Sequence, residues 1–228
     1  MKKALSLFAV LSLLLIANSF AATSYFAETL RKAEQGDAIA QEAVGEMYYT
    51  GKNVAQNDQE AFKWYKKAAE KGNVSAQAML SALYGDGSGV SQNYEESFKW
   101  AKKAAERDNA AGQYLLGELY WRGKGVPQNY QEAFKWLSKA AEKGVAMAQC
   151  DLGEMYINAE GVPLNYQKAF KWHKKAAERG YDHSQMKLGG LYYNGKGVPQ
   201  NYQEAFKWYK KAAEQGHRGA FLGLAFMY

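Results

Sequence analysis

Four side chains in the 228-residue sequence are of the kinds that most often do nucleophilic, acid–base or metal chemistry: Cys150, His173, His183 and His217. None of them is arranged for it locally. The histidines stand 10 and 34 residues apart, which is not the HxxxH or HExxH spacing that sets two imidazoles on one helix face around an ion. Cys150 has no identifiable partner base, so a small buried or groove-facing thiol is expected there and not a nucleophile. No Gly-x-Ser-x-Gly elbow occurs. The GKG at 123–125 and 195–197 lacks the strand-to-helix frame of a phosphate loop, so Lys124 and Lys196 read as turn residues. The sequence therefore predicts no enzyme, no catalytic residue, no metal ligands and no cofactor. Binding chemistry is another matter, because large aromatics and charges recur at positions whose identity changes along the chain, and those positions are set by a repeat.

Trp64, Trp100, Trp136, Trp172 and Trp208 are 36 residues apart, and Tyr48, Tyr84, Tyr120, Tyr156 and Tyr192 keep the same step. Each unit reads as two helices. The first, for example 110–123, carries Ala111, Leu115, Leu116 and Tyr120 at helical spacing, and Gly123 with Gly125 supplies a stop. A loop follows, stiffened by Pro127, Pro163 and Pro199 in three copies. The second helix opens on an asparagine with a glutamate three residues on, a box-like pairing seen at Asn57/Glu60, Asn93/Glu96, Asn129/Glu132 and Asn201/Glu204. Asn165 has Lys168 instead, which predicts a weaker cap. Lysines near the C-terminus suit the helix dipole, and the Lys-Lys pair reads as a solvated outer face, whereas the periodic tryptophans read as core. Two helices of about 14 residues with a short connection form an antiparallel hairpin. One hairpin cannot bury its own apolar face, so neighbours must stack. The Ala-Ala pairs (68/69, 104/105, 140/141, 176/177, 212/213) and Gly45, Gly117, Gly153, Gly189 and Gly223 let helix backbones approach closely. The expected fold is all-α, a right-handed superhelical α-solenoid of helix-turn-helix repeats. Its units are 37–72, 73–108, 109–144, 145–180 and 181–216, with a capping helix at 22–36 and a partial repeat at 217–228.

Residues 1–21 stand outside this pattern. Lys2 and Lys3, an apolar run from Ala4 to Ile16, and Ser19 and Ala21 ahead of Ala22 read as a secretory signal peptide, the run of 13 being too short to span a bilayer. An exported protein, periplasmic or secreted, is expected, with no membrane span after cleavage. The net charge of +6 includes the two signal lysines, so the remainder carries 6 − 2 = +4. Lysines dispersed among glutamates at that modest balance do not suggest nucleic-acid binding. A single cysteine cannot form an intramolecular disulfide, so packing alone must hold the fold.

The recurring pattern Ala-x-x-x-Leu-Gly-x-x-Tyr-x-x-Gly-x-Gly-Val, then Asn-Tyr-x-x-Ala-x-x-Trp-x-x-x-Ala-Ala-x-x-Gly, resembles the SEL-1-like repeat, a relative of the tetratricopeptide repeat. Departures are local: Ser81 replaces a first-helix glycine, Ala159 and Glu160 replace the first loop glycine and its neighbour, and Asp108 replaces a closing glycine. The resemblance implies a solenoid that binds proteins or peptides, often as an adaptor and, in exported bacterial members, at the envelope or against a host. It also implies that the first helices line the concave side. Some cysteine-rich members are linked to penicillin binding and β-lactam hydrolysis, but those rest on paired cysteines that this chain lacks.

Measured from the first-helix leucine at about 100° per residue, the recurring residues fall on one face, and the positions that vary between copies fall at about 140° to 240°, opposite it. Those variable positions include Glu46, Tyr49, Tyr114, Glu118, Trp121, Arg122, Glu154, Ile157, Tyr193 and Asn194. Aromatics beside an arginine and carboxylates have the composition of binding hot spots. They are expected to line a groove for a peptide or another chain, unless Tyr49, Trp121 and Tyr193 simply pack between first helices. Aromatics there could equally stack on cell-wall glycan. The closing GAFLGLAFMY is an apolar first helix with no second helix in the sequence to cover it, and Phe221, Leu224, Phe226 and Tyr228 suggest self-association, a cap or a truncated end.

Overall fold

A computed structural model describes residues 24–227. The signal-like segment and Tyr228 lie outside the described residues. Those described form twelve helices and no strand: α1 (24–34), α2 (Ala38–Thr50), α3 (Asp58–Glu70), α4 (Val74–Asp86), α5 (Tyr94–Glu106), α6 (Ala110–Arg122), α7 (Tyr130–Glu142), α8 (Ala146–Asn158), α9 (Tyr166–Glu178), α10 (Asp182–Asn194), α11 (Tyr202–Glu214) and α12 (Arg218–Ala225). Even-numbered helices are the first of each pair. Ten of the twelve are 13 residues long, or about 20 Å at 1.5 Å per residue. The chain divides into two compact units between Lys103 and Ala104, inside α5.

The second helices start alike because each asparagine turns its side chain onto the helix it opens. Asn57, Asn93, Asn129, Asn165 and Asn201 accept from the N–H three residues on at 2.9–3.1 Å. The cap at Asn165 keeps the same geometry with Lys168 in place of glutamate. The reciprocal half of a capping box is not formed. The N–H of each asparagine donates instead to the carbonyl of a first-helix tyrosine, Tyr48, Tyr84, Tyr120, Tyr156 or Tyr192. The glutamate is thereby released to pair with a lysine three residues on, as in Lys63–Glu60 and Lys99–Glu96, both 2.6 Å.

Packing is repeated as faithfully as sequence. Both alanines of every pair are buried, and their carbonyls close the second helix by accepting from the next turn's N–H groups. A buried glutamine ties most first helices to the second helix before them: Gln41, Gln77, Gln149 and Gln185 donate to the carbonyls of Ala33, Ala69, Ala141 and Ala177. Phe62–Tyr84, Phe134–Tyr156 and Phe170–Tyr192 meet edge to face at 5.2–5.6 Å, and Phe26–Tyr48 gives α1 the same contact. Trp64, Trp100 and Trp208 are buried, while Trp136 and Trp172 are half-buried. The lysine three residues after each tryptophan lies over its ring, from 3.8 Å at Lys67–Trp64 to 4.5 Å at Lys139–Trp136 and Lys211–Trp208. The outer face therefore roofs the core as well as solvating it.

The departures from the repeat are locally absorbed. A Cβ on Gly117 or Gly189 would stand 2.7 Å from Leu137 or Tyr209, so glycine is what lets these helices touch. Where Ser81 replaces glycine, the facing position holds Ala101, and Ser81 pairs with Ser97 at 3.2 Å. Asp108 keeps the left-handed turn at φ 63° and takes Gln113 Nε2 on its carboxylate at 2.9 Å. Ala159 keeps the helix-ending turn of α8 at φ 59°, a conformation that costs a residue with a Cβ about 1 kcal/mol.

Candidate functional site

The first helices differ from one another at both ends. Asp37, Asn73 and Asn109 cap α2, α4 and α6 through their side chains, whereas Val145, Tyr181 and His217 occupy the same place before α8, α10 and α12 and make no cap bond.

Within residues 104–227, the variable face of α6, α8 and α10 carries a row of carboxyl groups. Glu118 and Glu154 have side chains only 18% and 16% exposed. Arg122 Nε donates to Glu118 at 2.8 Å, and Lys187 Nζ reaches Glu154 at 2.9 Å. Asp151 sits in the same row. Burial first, and then the Glu118 carboxylate, push its carboxyl up to about 8, against the pull of Arg122. Asp151 Oδ2 and Glu118 Oε1 are buried with no hydrogen-bond partner among the described residues. The Tyr114 hydroxyl is pushed well above its ordinary range by burial, with Asp151 and Glu118 adding to it.

The anticipated residues of this region thus divide. Tyr114, Glu118, Arg122 and Glu154 join one electrostatic group. Trp121 is half-buried, packs on the core around Leu137 and Leu152, and donates Nε1 to Glu160 at 2.9 Å. The loop residue that replaces the repeat's usual lysine is what fixes this indole. Ile157 is half-buried. Tyr193 packs on the core around Ala205 and Tyr209 and meets Tyr202 edge-on at 5.3 Å. With Asn194, Tyr209, Gly223 and Phe226 it lines a depression of about 220 Å³. In the unit ending at Lys103, Glu46 borders a separate depression of about 130 Å³ together with Tyr25, Met47 and Lys52. Tyr49, nearby on α2, is 36% exposed.

Two charged residues of the row, Asp151 and Lys187, were not singled out by the sequence. They share one repeat position, which holds Ala43, Met79 and Leu115 elsewhere. That position lies at about 260°, roughly 20° outside the variable arc. The signal that could have found them is the change from apolar to charged at a single place in the repeat.

Cys150 is 2% exposed, and burial pushes its thiol up to about 12. His173 is fully buried at the position Tyr65 and Tyr209 hold in other copies, and burial holds its imidazole down to about 3. At the C-terminal end Leu224 and Met227 pack on the core, while Phe221, Leu222 and Phe226 are exposed, Phe226 at 77%. No helix among the described residues is long and apolar enough to cross a membrane.

Paired 13-residue helices in tandem, with one set of inter-repeat contacts used again and again, define an α-solenoid of the tetratricopeptide-like class. The Sel1 repeat matches five consecutive segments, 38–73, 74–109, 110–145, 146–181 and 182–217, and the chain belongs to the Sel1 repeat family. Among solved structures it is similar to c5321, a protective antigen of uropathogenic Escherichia coli with an SLR fold, at 37% identity and a TM-score of 0.82 over 90% of this chain and 44% of that one. It is also similar to a Sel1 repeat protein from Oxalobacter formigenes, at 36% identity and a TM-score of 0.77 over 83% of this chain and 76% of that one. The chain thus spans less than half the length of the E. coli protein. No curated protein matches it.

Proposed function

We propose that this protein is an exported, non-catalytic Sel1 repeat scaffold that holds a protein or peptide segment along the variable face of α6, α8 and α10. The observation that carries this reading is the row Glu118, Asp151, Glu154. Leucine at 151, as copy three has at Leu115, would serve the fold better than a carboxyl group that is buried and lacks a partner on one oxygen. Groups that burden the fold in this way are the ones a partner can satisfy. The row suits a ligand that brings N–H donors, such as a lysine or arginine side chain or an extended backbone, with Tyr114 and Tyr193 as apolar contacts. Export rests on the Lys2, Lys3 and Ala4–Ile16 pattern.

The test is a crosslinking pull-down from the native envelope fraction, comparing wild type with Arg122→Ala/Tyr193→Ala after circular dichroism has established that both are folded. Loss of specific protein partners with the double variant is the expected result. Partners retained in full would move the binding surface elsewhere, and recovery on purified peptidoglycan without protein partners would make the face a glycan platform.

A further inference from the structure

Cys150 and Glu154 are one turn apart on α8, so their side chains leave the helix on the same side. His183, in the first turn of α10, meets them there. One ligand atom from each of the three lies within 4.8 Å of the other two. We propose that Cys150, Glu154 and His183 form a binding site for one divalent, thiolate-accepting metal ion, Zn²⁺ being the best fit. This site shares Glu154 with the proposed partner-binding row but rests on a separate observation, the meeting of Cys150 and Glu154 with His183.

The donor set is specific. A thiolate, an imidazole and a carboxylate suit zinc or cobalt and disfavour magnesium and calcium, which want oxygen alone. Around a tetrahedral zinc ion, with bonds of about 2.0 to 2.3 Å, donor atoms stand roughly 3.3 to 3.7 Å apart. The three side chains need only draw in by about an ångström, with water as the fourth ligand.

The repeat itself calls for neither Cys150 nor His183. The position of Cys150 holds Glu42, Ala78, Tyr114 and Met186 in the other copies, and the position of His183 holds Ile39, Ser75, Ala111 and Met147. His183 is also supported from behind, since its Nδ1 lies 3.3 Å from Nε2 of His217. In the tautomer in which Nδ1–H donates to His217, the lone pair stays on Nε2, and the bond to His217 holds the ring's orientation. His217 stands where Asp37, Asn73 and Asn109 cap other first helices, and it makes no cap bond to α12. One cap has been exchanged for a second imidazole.

The surrounding charges set the balance. Lys187 holds Glu154 at 2.9–3.0 Å, and His173 Nε2 lies 3.5 Å from the same carboxylate. The Lys187 ammonium thus stands in for the cation in the metal-free protein and competes with it. Asp151 and Glu118 add carboxyl groups on the α6 side. Binding converts the Cys150 thiol to a thiolate and releases one proton to solvent for each ion bound.

The experiment is a Co²⁺ titration of the full chain, produced without a histidine tag and kept reduced by a thiol-free reductant, followed by competition with Zn²⁺. Expected are a thiolate-to-cobalt charge-transfer band saturating at one ion per chain and its displacement by an equivalent of Zn²⁺. Cys150→Ser should abolish the band, and His183→Gln should weaken binding at least tenfold. Lys187→Met should strengthen it roughly tenfold by freeing Glu154. If Cys150→Ser does not fold, Cys150→Ala takes its place, since Ala78 occupies the equivalent position in another copy. Absence of the band in the wild type, a band indifferent to His183→Gln, or equal zinc affinity with and without the Cys150 thiol would overturn the site.

Discussion

The first helices begin in two different ways. Asp37, Asn73 and Asn109 spend their side chains on the helix they open, whereas Val145, Tyr181 and His217 leave three helix N-termini without a side-chain cap. The second helices show no such divergence, since all five of α3, α5, α7, α9 and α11 start from an asparagine cap. Uniform second helices carry the architecture. The late first helices give up about 1 kcal/mol per cap, and in that same stretch buried ionisable groups collect. Tyr181 lies in the electrostatic reach of Cys150 and Asp151, and His217 pairs with His183. Stability and chemistry are thus drawn from different helices of the same repeat.

That contrast can be broken most forcefully at Asp151. Its folded-state pKa of about 8 lies far above the ordinary carboxylate value, so between about pH 4 and 8 the folded state keeps a proton that the unfolded state has lost. Stability must fall as pH rises through that window and level off above it. Asp151→Asn should remove the fall. Its advantage over wild type in urea denaturation is expected to grow from near zero at pH 4 to several kcal/mol at pH 8, at roughly 1.4 kcal/mol per pKa unit. Equal urea midpoints for the two proteins at pH 8 would show that Asp151 is well solvated or well paired.

His173 gives the opposite slope. Its imidazole, held down to about 3, refuses a proton that the unfolded chain accepts below about pH 6.5, so stability is lost as pH drops from there toward 3. His173→Tyr borrows the residue of Tyr65 and Tyr209, which already pack on Gly45 and Gly189. Thermal melts at pH 4.5 and 7.5 should show the wild type losing more than the variant.

The smallest change tests the caps. Asn109→Ala should cost about 1 kcal/mol and Val145→Asn should return about as much, read as opposite shifts in denaturation midpoint. A null result at both positions would sever the link between cap and helix stability on which the comparison rests.

The repeat period, helix type and asparagine caps were all legible in the sequence, because each is decided within one 36-residue unit. The half-formed capping box was not, since the competitor for the asparagine N–H is a tyrosine carbonyl nine residues upstream, as at Tyr48 and Asn57. The carboxyl row was half legible: Glu118 and Glu154 fell inside the variable arc, and Asp151 fell just outside it. The meeting of Cys150 with His183 was hidden by distance. Stacking pairs a residue with the one 36 ahead, so an offset of 33 lands one helical turn away, and local ligand spacing carries no trace of it.

The side-chain bonds that fasten one repeat to the next bridge short separations, such as 8 residues at Gln77–Ala69 and 39 at Trp121–Glu160. Bonds this near in sequence surrender little loop entropy before they reward it, and so favour fast folding. The protein should also come apart as it is built. Drawn out in an optical trap, the chain should lengthen in successive steps, each freeing one 36-residue unit and close to 120 Å of extended backbone, roughly 3.3 Å per residue. Folded in this order, the chain builds its stacked surface one repeat at a time.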